Sequence, residues 1–156
     1  MRKFVLAALG AASMSYAVPA AAQTSGARRT EDVRGFALKY IAAQRAAWER
    51  NDFSGLMILE DSAVVFHNIN GTVYDGRDAH TRAIVGMQES FNRASITQDW
   101  KYLLGSGDVF SLSYTWTIHS TPQPLKITGI LVGRIRDHKL VEEWGANYQV
   151  AAKAGG

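Results

Sequence analysis

The sequence predicts an α+β fold, a curved antiparallel sheet wrapped into a cone around three N-terminal helices, and three observations carry that prediction. Apolar residues recur at helical spacing early in the chain, at Val33, Phe36, Ala37, Tyr40, Ala47 and Trp48. Val109 to His119 alternates strictly, with Phe110, Leu112, Tyr114, Trp116 and Ile118 against Ser111, Ser113, Thr115, Thr117 and His119. From Ile96 onward there are only strand-like runs, separated by short turns. Helices gathered before a strand meander are the signature of α+β. The 156 residues suffice for one domain of ordinary size, and no internal repeat or low-complexity segment divides them.

The chain opens with Arg2 and Lys3, an apolar run from Phe4 to Ala12, and Ala20-Ala21-Ala22 before Gln23. That order reads as a secretory signal peptide over residues 1–22, cut before Gln23, which makes the protein periplasmic or secreted. The apolar run is too short to span a bilayer. Residues 23–32 read as a flexible leader, 33–150 as the folded domain and 151–156 as a frayed tail. The absence of cysteine leaves the domain without disulfides and held by its core. The chain has 17 Lys and Arg against 14 Asp and Glu, a net +3; Arg2 and Lys3 would leave with the signal, so the mature chain carries +1. There is no basic stripe interleaved with aromatics, so nucleic acid is not an expected partner. Nor is a membrane, once the signal is removed.

A helix begins at Thr30 or Glu31, with Glu31 and Asp32 suited to its positive end. Its stripe contains one polar member, Gln44. Asn51-Asp52 ends it, and a short second helix covers Phe53 to Leu59. A strand from Ala63 follows, with Ala63, Val65, His67 and Ile69 on one face and Val64, Phe66 and Asn68 on the other. Asn70-Gly71 is a turn, and Gly76 precedes a third helix, Arg77 to about Arg93. His80 sits just inside it, on the side that later carries Ile84, Met87 and Phe91. Ile96 to Leu104 is a strand with Trp100, Tyr102 and Leu104 on one side, closed by Gly105-Ser106-Gly107-Asp108. After the alternating strand, Thr121-Pro122-Gln123-Pro124 is a hairpin loop. Leu125 to Arg136 and Lys139 to Val150 are the last two strands, joined at Asp137-His138.

Certain stretches resemble the SnoaL-like branch of the nuclear transport factor 2-like superfamily, whose topology is cystatin-like. They are Trp48-Glu49-Arg50-Asn51-Asp52-Phe53, Gly76-Arg77-Asp78-Ala79-His80, and Gly133-Arg134-Ile135-Arg136-Asp137-His138-Lys139-Leu140-Val141-Glu142-Glu143-Trp144. The likeness covers roughly Val33 to Val150. It implies a cone with one open end and a small-molecule pocket, but the superfamily holds isomerases, cyclases, dehydratases, epoxide hydrolases and carriers alike. Alignment with ketosteroid isomerases brings their carboxylate base onto His67 and their first-helix tyrosine near Gln44. Their protonated aspartic acid falls near Leu131 or Val132, which cannot donate. The aspartate of SnoaL-like cyclases falls at Gly145, and the Arg-x-Asp pair of limonene-type epoxide hydrolases is missing. Scytalone-type dehydratases use a histidine pair with tyrosines, which His67, His80 and Tyr114 match in kind.

The candidate catalytic residues are therefore His67 and His80, rings that titrate near neutrality set among apolar neighbours. Gln44, Tyr40, Tyr114, Trp116 and Trp144 are candidate substrate contacts in a hydrophobic, aromatic-lined pocket. No metal or other cofactor is expected: the spacing of His67 and His80 matches no common metal motif. His67 reads equally as a core histidine bonded to a backbone carbonyl. Glu142 and Glu143 point to opposite faces, so one enters the cone. If that is Glu142 it orients a histidine; otherwise it forms a rim ion pair with Arg134 or Arg136. Two functions stand. One is a lyase, isomerase or cyclase for a small apolar ring compound, working by acid–base chemistry. The other is a carrier or sensor of such a ligand, favoured by Gly145. The uncharged Ser/Thr face of the strand from Val109, together with the resemblance, implies a homodimer through the outer sheet face.

Overall fold

The computed structural model describes residues 20–119 and 124–150, with side chains from 32 to 119 and 124 to 147. The apolar run of the expected signal, most of the hairpin loop after His119 and the C-terminal tail lie outside the described residues. The elements run α1 (Ala20–Arg50), α2 (Ser54–Leu59), β1 (Glu60–Asn68), β2 (Val73–Asp75), α3 (Arg77–Ser90), β3 (Ile96–Ser106), β4 (Val109–Ile118), β5 (Leu125–Arg136) and β6 (Lys139–Val150). α1 starts upstream of the expected Thr30, so the segment read as a leader is helical. Ala20, Ala21, Ala22, Gln23 and Ala27 are good helix formers, and only Gly26 opposes them strongly.

Six strands form one curved, unclosed sheet in the order β2-β1-β6-β5-β4-β3. Every pairing is antiparallel except β1 with β6, which is parallel and sets His67 opposite Trp144. Strand β2 is an element the sequence reading lacks: after Gly71, at φ 84°, the chain pairs back for three residues, Val73 to Asp75, before α3 begins. A second difference is a register shift between Tyr102 and Leu104 in β3. It breaks the alternation, so Leu104 turns outward and is exposed instead of sharing the face of Trp100 and Tyr102.

The apolar stripe of α1 packs into the concave face of the sheet, where Val33, Phe36, Ala37, Tyr40, Gln44, Ala47 and Trp48 are all buried. The inward row of β4 is likewise buried from Phe110 to Ile118. Each large apolar side chain of this kind contributes about 1.5–3 kcal/mol by leaving water. Rings dominate the contact: Trp48 lies 4.4 Å from Trp116, Tyr114 4.9 Å from Trp116 and Trp100 4.9 Å from Tyr114, centroid to centroid. β5 makes room for two of the β4 rings with glycines directly opposite them, Gly129 across from Tyr114 and Gly133 across from Phe110. A Cβ at either position would collide with its ring.

Candidate active site

The concave side of the sheet is not filled completely. Between α1, α3 and the strands lies a cavity with about 670 Å³ of empty space, its open mouth included. Trp48, Phe66, Ile84, Met87, Trp100, Trp116 and Leu131 give it apolar walls. Gln44, Asn68, Tyr74, His80, Tyr114, Glu143 and Asn147 supply polar groups.

A chain of hydrogen bonds crosses the inner wall. Trp48 Nε1 donates to Gln44 Oε1 at 3.1 Å, and Gln44 Nε2 donates to Tyr40 Oη at 2.7 Å. Tyr40 Oη donates to Glu143 Oε2 at 2.7 Å. Helical spacing makes the first two links, since Tyr40, Gln44 and Trp48 succeed one another four residues apart on α1. Gln44, the odd polar member of the stripe, thus relays between an indole and a phenol. Its amide is buried and satisfied at both ends.

Glu143 ends this chain. Burial pushes its carboxyl up to about 7 from the ordinary 4.5, against the opposing pull of His80 and of the Tyr40 hydrogen bond; the carboxylate of Glu60 adds to the rise. The Tyr40 hydroxyl is held well above its usual value, first by burial and then by the negative fields of Glu143 and Glu60. Tyr114, also raised by burial, pairs with Asn147. A carboxyl titrating near neutrality on the wall of an apolar cavity is suited to taking and returning a proton.

His80 faces the same space. Gly76, at φ 88°, turns the chain sharply from β2 into α3, and its carbonyl accepts from both Ala79 N and His80 N. His80 therefore stands in the first turn, its ring stacked 3.7 Å from that of Phe66 and its Nδ1 3.1 Å from Glu60 Oε1. Glu60, the first residue of β1, is fully buried. Sequence reading misses Glu60 and does not single out Glu143. It begins β1 at Ala63, although counting back in twos from Val64 reaches Glu60, and it leaves Glu142 and Glu143 undecided.

His67 is placed differently from its expected role. His67 is counted in the cavity lining between Phe66 and Asn68, but its side chain alternates with the buried Val64 and Phe66 and finds its partners on the other face of the sheet. There it stacks on Trp144 at 5.5 Å and bonds Glu142 Oε1 at 3.1 Å through Nε2. Arg134 Nη1 holds the other Glu142 oxygen at 2.9 Å, and its guanidinium lies 5.1 Å from the Trp144 ring centroid. The alternation of β1 decides this: Val64 and Phe66 are buried, so His67, next in the chain, faces out. Trp144 goes with it and does not bound the cavity. Tyr40 is fully buried behind Glu143 and holds the carboxyl without lining the space. Of the expected site residues, Gln44, His80, Tyr114 and Trp116 do meet at the cavity.

Gly145 also lines it. A Cβ there would meet only Asn68 Oδ1, at 3.6 Å, so the position has room that this chain leaves open. Among the described residues, no three His, Asp or Glu side chains are grouped as metal ligands would be.

Solved structures share this architecture. Bal32a, from a soil-derived mobile gene cassette, superposes with a TM-score of 0.64 at 13% identity over 75% of this chain and 92% of its own. A candidate ketosteroid isomerase from Kribbella flavida DSM 17836 gives 0.63 at 15%, over 81% and 85%. IdmH, a candidate polyketide cyclase from Streptomyces antibioticus, gives 0.57 at 21%, over 69% and 88%. At these identities the likeness establishes the nuclear transport factor 2-like fold. No curated protein matches the chain in sequence. Residues 41–143, which carry Gln44, Glu60, His80, Tyr114 and Glu143, match the SnoaL-like domain as a sequence family, and the chain belongs to that family.

Proposed function

We propose that the protein is a cofactor-independent acid–base enzyme, a lyase, isomerase or cyclase acting on a small, largely apolar ring compound. The observation that carries this reading is Glu143, a carboxyl raised to about 7 and held by Tyr40 on the wall of an aromatic cavity. Glu143 takes a proton from carbon beside a carbonyl of the ligand. His80, on the same cavity, is placed to give or accept a second proton. Gln44 keeps Tyr40 turned toward Glu143. Tyr114, Trp116 and Trp48 shape the space for a flat ring. Structural neighbours described as candidate isomerase and cyclase agree with the reaction class.

The test uses a panel of cyclic ketones and enones in D2O. Wild type is expected to speed deuterium entry next to the carbonyl, and Glu143→Gln to slow it by on the order of 100-fold or more. Binding of panel members without any exchange would point instead to a carrier.

We further propose that the chain is exported and cut before Gln23; N-terminal sequencing of the secreted protein that begins elsewhere would refute this. The dimer belongs here too. The outward side chains of β4 are Val109, Ser111, Ser113, Thr115 and Thr117, with no charge among them, and Thr115 Oγ1 lies 3.3 Å from Thr128 Oγ1 on β5. Ile130 is exposed on the same face. Such a surface suits a second copy, related by a two-fold axis. Thr115→Arg should split the dimer by forcing a long, charged side chain into a contact that only small side chains fit. Light scattering that finds wild type monomeric at tens of micromolar would overturn the proposal.

A further inference from the structure

We infer that Glu60 is a positioning residue for His80: it fixes the ring's tautomer so that Nδ1 carries the proton and Nε2 presents its lone pair to the cavity. This rests on the acid–base reading of the cavity, but it does not depend on the raised carboxyl of Glu143.

The first observation is a count of donors. Glu60 is 1% exposed, and a carboxylate so buried requires a donor. Its Oε2 has no partner among the described residues. Two groups approach Oε1. Tyr40 Oη stands 3.5 Å away, but its single hydrogen is engaged by Glu143 at 2.7 Å, while Gln44 Nε2 occupies the oxygen as a donor. That leaves His80 Nδ1, at 3.1 Å, as the donor that serves Glu60. An imidazole with its proton on Nδ1 has an unprotonated Nε2 when neutral.

The second observation is where the other nitrogen is left. His80 lines the cavity, and its Nε2 makes no hydrogen bond to a described residue. Phe66 covers one ring face at 3.7 Å, at an interplanar angle of 23°, and so limits rotation. The ring is held by its face, anchored at Nδ1 and left open at Nε2. That arrangement makes one nitrogen available for proton transfer and dedicates the other to orientation.

Other ionisable groups lie near the pair or line the same cavity. Tyr40 approaches Glu60 from α1 and Glu143 acts on both from β6, while Tyr74 of β2 and Tyr114 of β4 line the cavity. None of the four hydrogen-bonds His80, so none competes for Nδ1.

The test is nitrogen-15 NMR of the ring nitrogens of His80 in the whole protein, at a pH where the ring is neutral. Wild type is expected in the Nδ1–H form. Glu60→Met removes the acceptor, and the ring is expected to shift to the Nε2–H form. Glu60→Gln keeps an acceptor without charge and should keep part of the Nδ1–H population. In the D2O exchange assay, Glu60→Gln is expected to lower kcat by on the order of tenfold with little change in KM. Wild type in the Nε2–H form would overturn the inference, as would an unchanged tautomer in Glu60→Met. If Glu60→Met does not fold, the wild-type tautomer alone decides. A ligand panel that shows no exchange defeats the enzyme reading without touching the tautomer result, so the two failures are distinguishable.

Discussion

Glu142 and Glu143 are adjacent in the chain and live in opposite environments. Glu142 points outward, partly exposed, and is shared between Arg134 and His67 beside Trp144. Glu143 points inward to Tyr40 and an apolar cavity, with His80 and Glu60 nearby. Both clusters contain a carboxylate, a histidine and aromatic rings. Among the described residues, only the inner cluster has no arginine paired with its carboxylate, and Glu143 is buried there. Desolvation therefore lifts Glu143 to about 7, toward the range useful for proton transfer. Residue type is common to the two sites; burial and the absence of an arginine separate them.

The largest expected effect follows from that contrast. Glu143→Gln should reduce D2O exchange by on the order of 100-fold, while Glu142→Gln should leave it within about twofold. Equal losses in the two variants would erase the distinction.

The next effect is on stability. Glu143 has a folded value of about 7 against 4.5 when solvated. The fold resists its ionisation, so this group's contribution to stability is complete below pH 4.5. It is lost as pH rises from about 4.5 to about 7. The loss amounts to up to about 3 kcal/mol, because every tenfold change in a proton-binding constant is worth about 1.4 kcal/mol. Urea titrations across this window should show the decline in wild type and its absence in Glu143→Gln. Parallel curves for the two would refute the burial argument.

The smallest effect is predicted for the outer cluster. His67→Gln removes a partly exposed pairing with Glu142 and a stacked ring. It should cost about 1 kcal/mol or less in urea melts and leave ligand affinity unchanged. A loss of binding would return His67 to the site.

This contrast also marks how far the sequence is legible. The α1 stripe and the strict alternation of β4 identify the helix face and the sheet's inner row correctly, because each pattern has one apolar side. β1 has apolar residues on both faces, Ala63 and Val65 against Val64 and Phe66. Alternation there separates the faces without saying which is concave; the burial of Val64 and Phe66, with His80 of α3 stacked on Phe66, decides it. For that reason the sequence alone directs His67 to the pocket. Glu60 escapes notice because it lies at the α2–β1 boundary, before a register shift in the pairing with β6. Leu104 is displaced by a bulge, an inserted residue that no periodicity announces. Gln44 stands out of place in its stripe, but its partners at 2.7 and 3.1 Å need three dimensions.

The most direct test is a carbon-13 NMR titration of the glutamate side-chain carboxyls in the ligand-free protein, with Glu143→Gln used to assign the resonance. The Glu143 midpoint is expected near 7 in wild type and higher in Tyr40→Phe, because the hydrogen bond that this variant removes holds the value down. A wild-type Glu143 midpoint near 4.5, the value of a carboxyl in water, would contradict that expectation.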